Sequence, residues 1–218
     1  MFYDKNKVIS VIHEAAVKFE KNLNNKDIMF LTKQGNSVRS YEIEFSSFHF
    51  KHFTGVKSNL SAVRFYSAAK SRKLTENDLF IQEPFLVQKK MNILESAMSL
   101  PYTAKMVGDF NYFGIKIQAD IASGNNTFTM AFRNDENQSL YPVSVLEEDI
   151  RKSTKAASPI VVVLRKDKRA KEYDEITYVS KNINISNLHF PKEIKDKLSD
   201  RAYGMLKPEL SAEKTETK

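Results

Sequence analysis

The chain has 218 residues, with 34 Lys plus Arg against 27 Asp plus Glu (formal net charge +7), 41% hydrophobic residues and no cysteine. This length supports one substantial core or two small ones in a soluble globular protein, and the lack of Cys excludes disulfide frameworks, thiolate zinc sites and cysteine nucleophiles. The longest aliphatic run, Ile160 to Leu164, is far short of a bilayer span, and Met1-Phe-Tyr-Asp-Lys5 opens no signal-peptide pattern, so a cytoplasmic protein without membrane attachment is expected.

In chain order, Val8, Val11, Ile12, Ala15, Ala16, Phe19 and Leu23 recur at helical spacing and predict an amphipathic helix ending near Asn24-Asn25. Asp27 to Lys33 and Val38 to Phe45 flank Gln34-Gly35-Asn36 and predict a hairpin. Ser46 or Ser47 can cap a short helix from Phe48 to Phe53 that Gly55 ends. Helices follow from Ser58 to Ala69 and, after Pro84, through Val87, Met91, Leu94 and Met98. Then the period becomes two. Ile115, Ile117, Ala119 and Ile121 alternate with polar residues, Gly124-Asn125-Asn126 turns the chain, and Phe128, Met130 and Phe132 alternate in the return strand. Leu140 to Leu146 reads as an edge strand or a strand exit because Pro142 cannot donate to a central ladder. Ile160 to Leu164, Glu175 to Val179 and a helix from Pro191 to Arg201 complete the series. The expectation is α+β: N-terminal helices packed on one side of an antiparallel sheet, a single domain over 1–205, and a flexible tail over 206–218.

Charge is concentrated between Ser46 and Thr75, where Lys51, Lys57, Arg64, Lys70, Arg72 and Lys73 occur with no Asp or Glu. A helical surface of positive potential beside His49 and His52 suits holding a phosphodiester and moving protons around it, and a solvated helix face with core-edge histidines is the plain alternative. The two histidines, three apart, could chelate a metal, but without Cys or nearby carboxylates no metal is expected. Of the two, His52 beside the Gly55 turn is expected to face outward. On the 115–132 hairpin, parity places Lys116 and Arg133 together on the polar face, where two cations need an anion such as an RNA phosphate, or a structural acid such as Asp120. Ser144 is a candidate phosphate ligand or a cap for the Glu147-Glu148-Asp149 segment. The run Arg165 to Glu172, net +3, could grip a backbone or form a solvated hairpin tip. The chain lacks a phosphate-cradling Gly loop and a Gly-x-Ser-x-Gly elbow, which disfavours nucleotide-binding folds and serine hydrolases.

The stretch Tyr41-Glu-Ile-Glu-Phe-Ser-Ser-Phe-His-Phe-Lys-His-Phe-Thr-Gly-Val56, followed by Leu140-Tyr-Pro-Val-Ser-Val-Leu146 and a strand pair ending near Val179, resembles the phage-type barnase, EndoU, colicin and RelE-like nucleases of Gram-positive phages and integrative elements. The resemblance spans about Met29 to Phe190. It implies a BECR or RelE-like α+β fold and metal-independent, cofactor-free RNA cleavage in which a ribose 2′-hydroxyl attacks the adjacent phosphate, in a toxin-like domain of a mobile element. Carried onto matching positions, it points to His52, Thr54, Tyr141 and Ser144. Together with the residues read above, the expected catalytic set is His52, Tyr141, Lys116 and Arg133, with Lys51, Thr54, Lys57, Arg64 and Ser144 binding substrate. The expected partner is RNA, with an inhibitor or other protein as a further possibility. The alternatives are a catalytically inactive nucleic-acid-binding module and a protein-binding accessory protein of a phage or conjugative system.

Overall fold

Asp4 opens the first helix by accepting hydrogen bonds from the backbone of Asn6 and Lys7, and α1 (Lys5–Asn22) follows with Val8, Ile12, Ala15, Ala16 and Phe19 on its buried face. The computed structural model describes residues 4–111, 117–136 and 139–208. After α1 come β1 (Lys26–Gln34), β2 (Ser37–Glu44), α2 (Phe50–Thr54), α3 (Ala62–Lys70), α4 (Pro84–Ala97), α5 (Leu100–Thr103), β3 (Met106–Phe110), β4 (Ile121–Gly124), β5 (Thr129–Asn134), β6 (Leu140–Leu146), α6 (Ile150–Ser153), β7 (Thr154–Asp167), β8 (Glu175–Val179), α7 (Lys192–Lys195) and α8 (Asp200–Leu206).

The α+β mix is as expected, but the sheet is not an open antiparallel one. Its eight strands run β1-β2-β6-β5-β4-β3-β7-β8, and an additional β1–β7 pairing closes the ring into a barrel. All pairings are antiparallel except that of β2 with β6, which meet in parallel through Ile43 and Leu140. The closure has a physical origin in β7. Its first half pairs with β3 and its second half with β1 and β8, so its apolar run Ile160 to Leu164 is buried on both faces and needs neighbours along both edges. Register shifts in these ladders bend the strand enough for it to serve both.

Helices do not cover one side alone. Alternate residues of β1 face two cores: Ile28 and Phe30 pack with α1 to α4, while Met29 and Leu31 join Val161, Val162 and Leu164 beneath Tyr173, Leu188, Phe190, Ile194, Leu198, Ala202 and Leu206. The helix expected over Pro191 to Arg201 is two helices. Between them the backbone of Lys197 and Ser199 bonds to Tyr173, which requires an extended link, and Ser199 then caps α8. Leu206 belongs to the second core, and residues 209–218 lie outside the described residues. The central hairpin is shorter than its alternation suggests: β4 pairs with β5 from Ile121–Phe132 to Gly124–Thr129, Ile117 and Ala119 lie outside the strand, and Ile115 and Lys116 lie outside the described residues.

Candidate active site

The parallel seam between β2 and β6 is the weakest join of the barrel, and a one-turn helix is wedged beside it. Phe50 and Phe53 of α2 are fully buried; Phe50 lies 5.3 Å, Phe53 6.1 Å and Tyr66 5.4 Å, ring centre to ring centre, from Phe19 of α1. These contacts anchor the turn, and truncating such a ring costs about 3–5 kcal/mol. At its end Gly55 takes φ +72°, the left-handed conformation that lets the chain leave a helix, and a Cβ there would come within 2.9 Å of Lys90 Cδ. The same wedge fixes two imidazoles in different surroundings.

His49 is buried, 4% exposed. Its Nδ1 accepts the Ser46 backbone N–H at 3.1 Å, and its ring lies nearly parallel to that of Tyr141 at 6.1 Å. Burial, then the charges of His52 and Lys168, push its pKa down to about 4, so at neutral pH the ring is uncharged. Because Nδ1 accepts, the proton sits on Nε2, which is buried and has no hydrogen-bond partner among the described residues. His49 is therefore a neutral donor, unsuited to accept a proton. His52, by contrast, is exposed. Partial burial, then the charges of Lys90, Lys51 and Lys57, lower its pKa, which leaves it unprotonated at pH 7 and able to act as a base.

Across the seam, Tyr141 sits opposite Arg133 in the β5–β6 ladder, and a bulge between Ala131 and Phe132 accommodates Pro142. The exposed Arg133 guanidinium donates to Gln118 Oε1 at 3.1 Å. A cavity of about 440 Å³ is lined by Phe48, His49, Tyr141, Glu44, Asp135 and Lys168, and a second of about 470 Å³ adjoins it through Tyr141 and Asp135 and is also lined by Arg133. His52 does not line either. Ser144 caps no helix, since Asp149 performs that task for α6; its hydroxyl accepts from the buried Lys90 ammonium at 3.2 Å.

Of the residues singled out from the sequence, Tyr141 and Arg133 line one cavity, Ser144 and the His52 backbone carbonyl share the Lys90 ammonium, and the position of Lys116 lies outside the described residues. Lys57 and Arg64 are exposed and have no ion-pair partner among the described residues. Three of the expected substrate contacts are already committed to the protein: Ser144, buried and accepting from Lys90, Thr54 and Lys51. Thr54 is fully buried, donating to Lys51 O at 2.8 Å and accepting from Val56 N at 3.3 Å. Lys51 turns its ammonium onto the carbonyls of Ser58 and Leu60, at 2.9 and 2.6 Å, which also explains why α3 begins only after Ser61. The basic run from Arg165 is likewise engaged, through Arg165–Glu175, Lys166–Asp27 and Lys168–Glu44 ion pairs. What sequence reading missed is Lys90. Its position three after Val87 and four before Leu94, on the apolar stripe of α4, is the signal that marks it as inward-facing.

Among the described residues no group of three or more His, Asp or Glu side chains could hold a metal ion, and no helix is long and apolar enough to cross a membrane. A closed barrel with a helical cap, an exposed imidazole and, on its helical stretch, exposed cations unpaired among the described residues has parts suited to handling a phosphodiester. The chain belongs to the family described as phage-Barnase-EndoU-ColicinE5/D-RelE like nuclease4, PBECR4, whose sequence model matches residues 11–182; it thus carries a nuclease-like domain. No curated protein and no solved structure matches the chain.

Proposed function

We propose that the domain is a metal-independent endoribonuclease of a phage or mobile element, toxin-like and acting in the cytoplasm, with its site on the β2–β6 seam. In this mechanism neutral His52 takes the proton of a ribose 2′-hydroxyl, whose oxygen attacks the adjacent phosphorus. Tyr141 gives a proton to the departing 5′-oxygen, leaving a 2′,3′-cyclic phosphate and a 5′-hydroxyl. Arg133, with Lys116 in the same role, offsets charge on the phosphate. The observation that carries this reading is that α2 bears an exposed imidazole whose pKa is lowered by burial and neighbouring lysines, while the 3-10 turn Ser47–His49 just before it bears a buried neutral imidazole stacked on Tyr141.

The test is incubation of the purified chain with end-labelled single-stranded RNA in EDTA. Cleavage with cyclic-phosphate ends is expected, falling about 10²–10⁴-fold in His52→Ala. The rate should also decline as pH falls below the ordinary histidine value of 6.5, when His52 becomes protonated. Intact RNA with the wild type, or equal cleavage by His52→Ala, overturns it. One observation favours a second reading, an inactive nucleic-acid-binding module: the imidazole lining the cavity is the neutral His49, not His52. That module would bind RNA with strong salt dependence and leave it whole.

A further inference from the structure

Lys90 is 6% exposed, yet among the described residues no carboxylate pairs with it. Its three N–H groups meet two neutral acceptors, His52 O at 2.9 Å and Ser144 Oγ at 3.2 Å. Its stem lies over Gly55, where any larger residue would meet Cδ at 2.9 Å, so the approach of α4 to the end of α2 depends on that glycine. A methionine would fill the same space without burying a charge, and replacing buried ions by apolar groups is often neutral or stabilising. The charge here is costly: burial alone brings the ammonium down to about 8. What the cost supports is local. The ammonium faces the C-terminal carbonyl end of α2, where a cation is favoured, and ties it to β6.

We propose that Lys90 is the positioning residue of the seam: its ammonium fastens the His52-bearing turn to Ser144 of β6 and holds a fixed positive charge beside the His52 imidazole. The functional meaning of this role rests on the reading of His52 as the base, but the clamp itself does not. The charged groups acting on His52 are Lys90 from α4, Lys51 from α2 and Lys57 from the following loop; His49 on the preceding turn is neutral, and Tyr141 and Ser144 of β6 are uncharged neighbours of the site. All three cations oppose protonation of His52. Lys90 is second only to burial as the cause.

The experiment is an NMR titration of the His52 Hε1 signal in the full chain, in wild type, Lys90→Met, Lys90→Gln and Ser144→Ala. Both Lys90 variants should move the His52 midpoint up toward 6.5, while Ser144→Ala, which removes one acceptor and keeps the charge, should leave it in place. An unchanged midpoint in the Lys90 variants overturns the proposal, because a packing role would not move it. Should those variants fail to fold, the wild type decides: the His52 signal should show a second inflection near pH 8 as the Lys90 Cε signal titrates, and no such inflection overturns the proposal. RNA cleavage is a separate arm. If the chain leaves RNA intact while the His52 midpoint still shifts, the nuclease reading fails and the clamp stands; if RNA is cleaved and the midpoint stays, the reverse holds.

Discussion

Two stretches of this chain are conspicuously basic, and the fold treats them in opposite ways. In the β7–β8 arm, Arg165 grips Glu175, Lys166 faces Asp27 and Lys168 reaches Glu44. These partners come from β1, β2 and β8, and the ladder itself aligns them: Asp27 is the register partner of both Lys166 and Glu44. In the helical stretch from Ser46 to Thr75 only Lys70 and Arg72 find acids, Glu20 and Glu14 of α1, while Lys57, Arg64 and Lys73 have no ion-pair partner among the described residues. A buried cation from α4 is even added beneath α2. A run of Lys and Arg therefore reports available charge only when no neighbouring strand is in register to neutralise it. The helical stretch keeps its field; the arm spends its charge on closing the barrel.

His49 stands between these regions, feeling His52 of one and Lys168 of the other, and it gives the largest expected effect. Its folded pKa of about 4 lies below the ordinary 6.5, so the unfolded chain binds more protons between those values. Stability is then full above pH 6.5 and falls as pH drops toward 4, by on the order of 3 kcal/mol. Urea unfolding at pH 7 and pH 4.5 should show this loss in wild type and a smaller one in His49→Gln. An identical loss in both would place the acid sensitivity in the arm's carboxylate pairs and break the comparison.

Arg165→Ala should come next, at roughly 1–3 kcal/mol, because the guanidinium holds Glu175 at 2.7 and 2.9 Å and also donates to the carbonyls of Lys21 and Asn22 that end α1. The same substitution should leave the salt dependence of RNA binding unaltered. Arg64→Ala, from the other region, should do the converse: stability within about 0.5 kcal/mol of wild type and a log–log salt slope smaller by about 0.7. Chemical denaturation and fluorescence titration over a salt series measure both.

How far the sequence discloses this division follows from the range of each interaction. Local signals were legible: the stripe of α1, the Gly35 turn between β1 and β2, the Gly55 stop after α2, and the outward turn of His52 relative to His49. These depend on neighbours within a few residues. Closure of the barrel was not legible, because an apolar run such as Ile160 to Leu164 shows that a strand is buried but not which strands take its two edges. The same limit hid the fate of Lys51 and Thr54, whose inward turns follow from the loop at Ser58 to Leu60 and from the depth of α2 in the core. Lys90 was hidden differently: its stripe position was available, but its meaning needed β6.

The smallest effect sharpens the comparison within the helical stretch itself. Lys70 pairs with Glu20 at 3.1 Å, but the two side chains are 41% and 42% exposed, and a pair so solvated contributes less than about 1 kcal/mol. Glu20 also accepts from the Tyr66 hydroxyl and from Asn24 Nδ2, so removing Lys70 leaves no carboxylate without a donor. Lys70→Ala should therefore change the unfolding free energy by under about 0.5 kcal/mol, well below the Arg165 substitution, although both delete one member of an ion pair. The contrast isolates what makes the arm structural. Arg165 is 11% exposed and bonds backbone carbonyls as well as an acid, whereas among the described residues Lys70 has a surface carboxylate and the face of Tyr66. If Lys70→Ala proved as damaging as Arg165→Ala, the helical stretch would be held together by its charges like the arm, and its positive field could not be free for a nucleic acid.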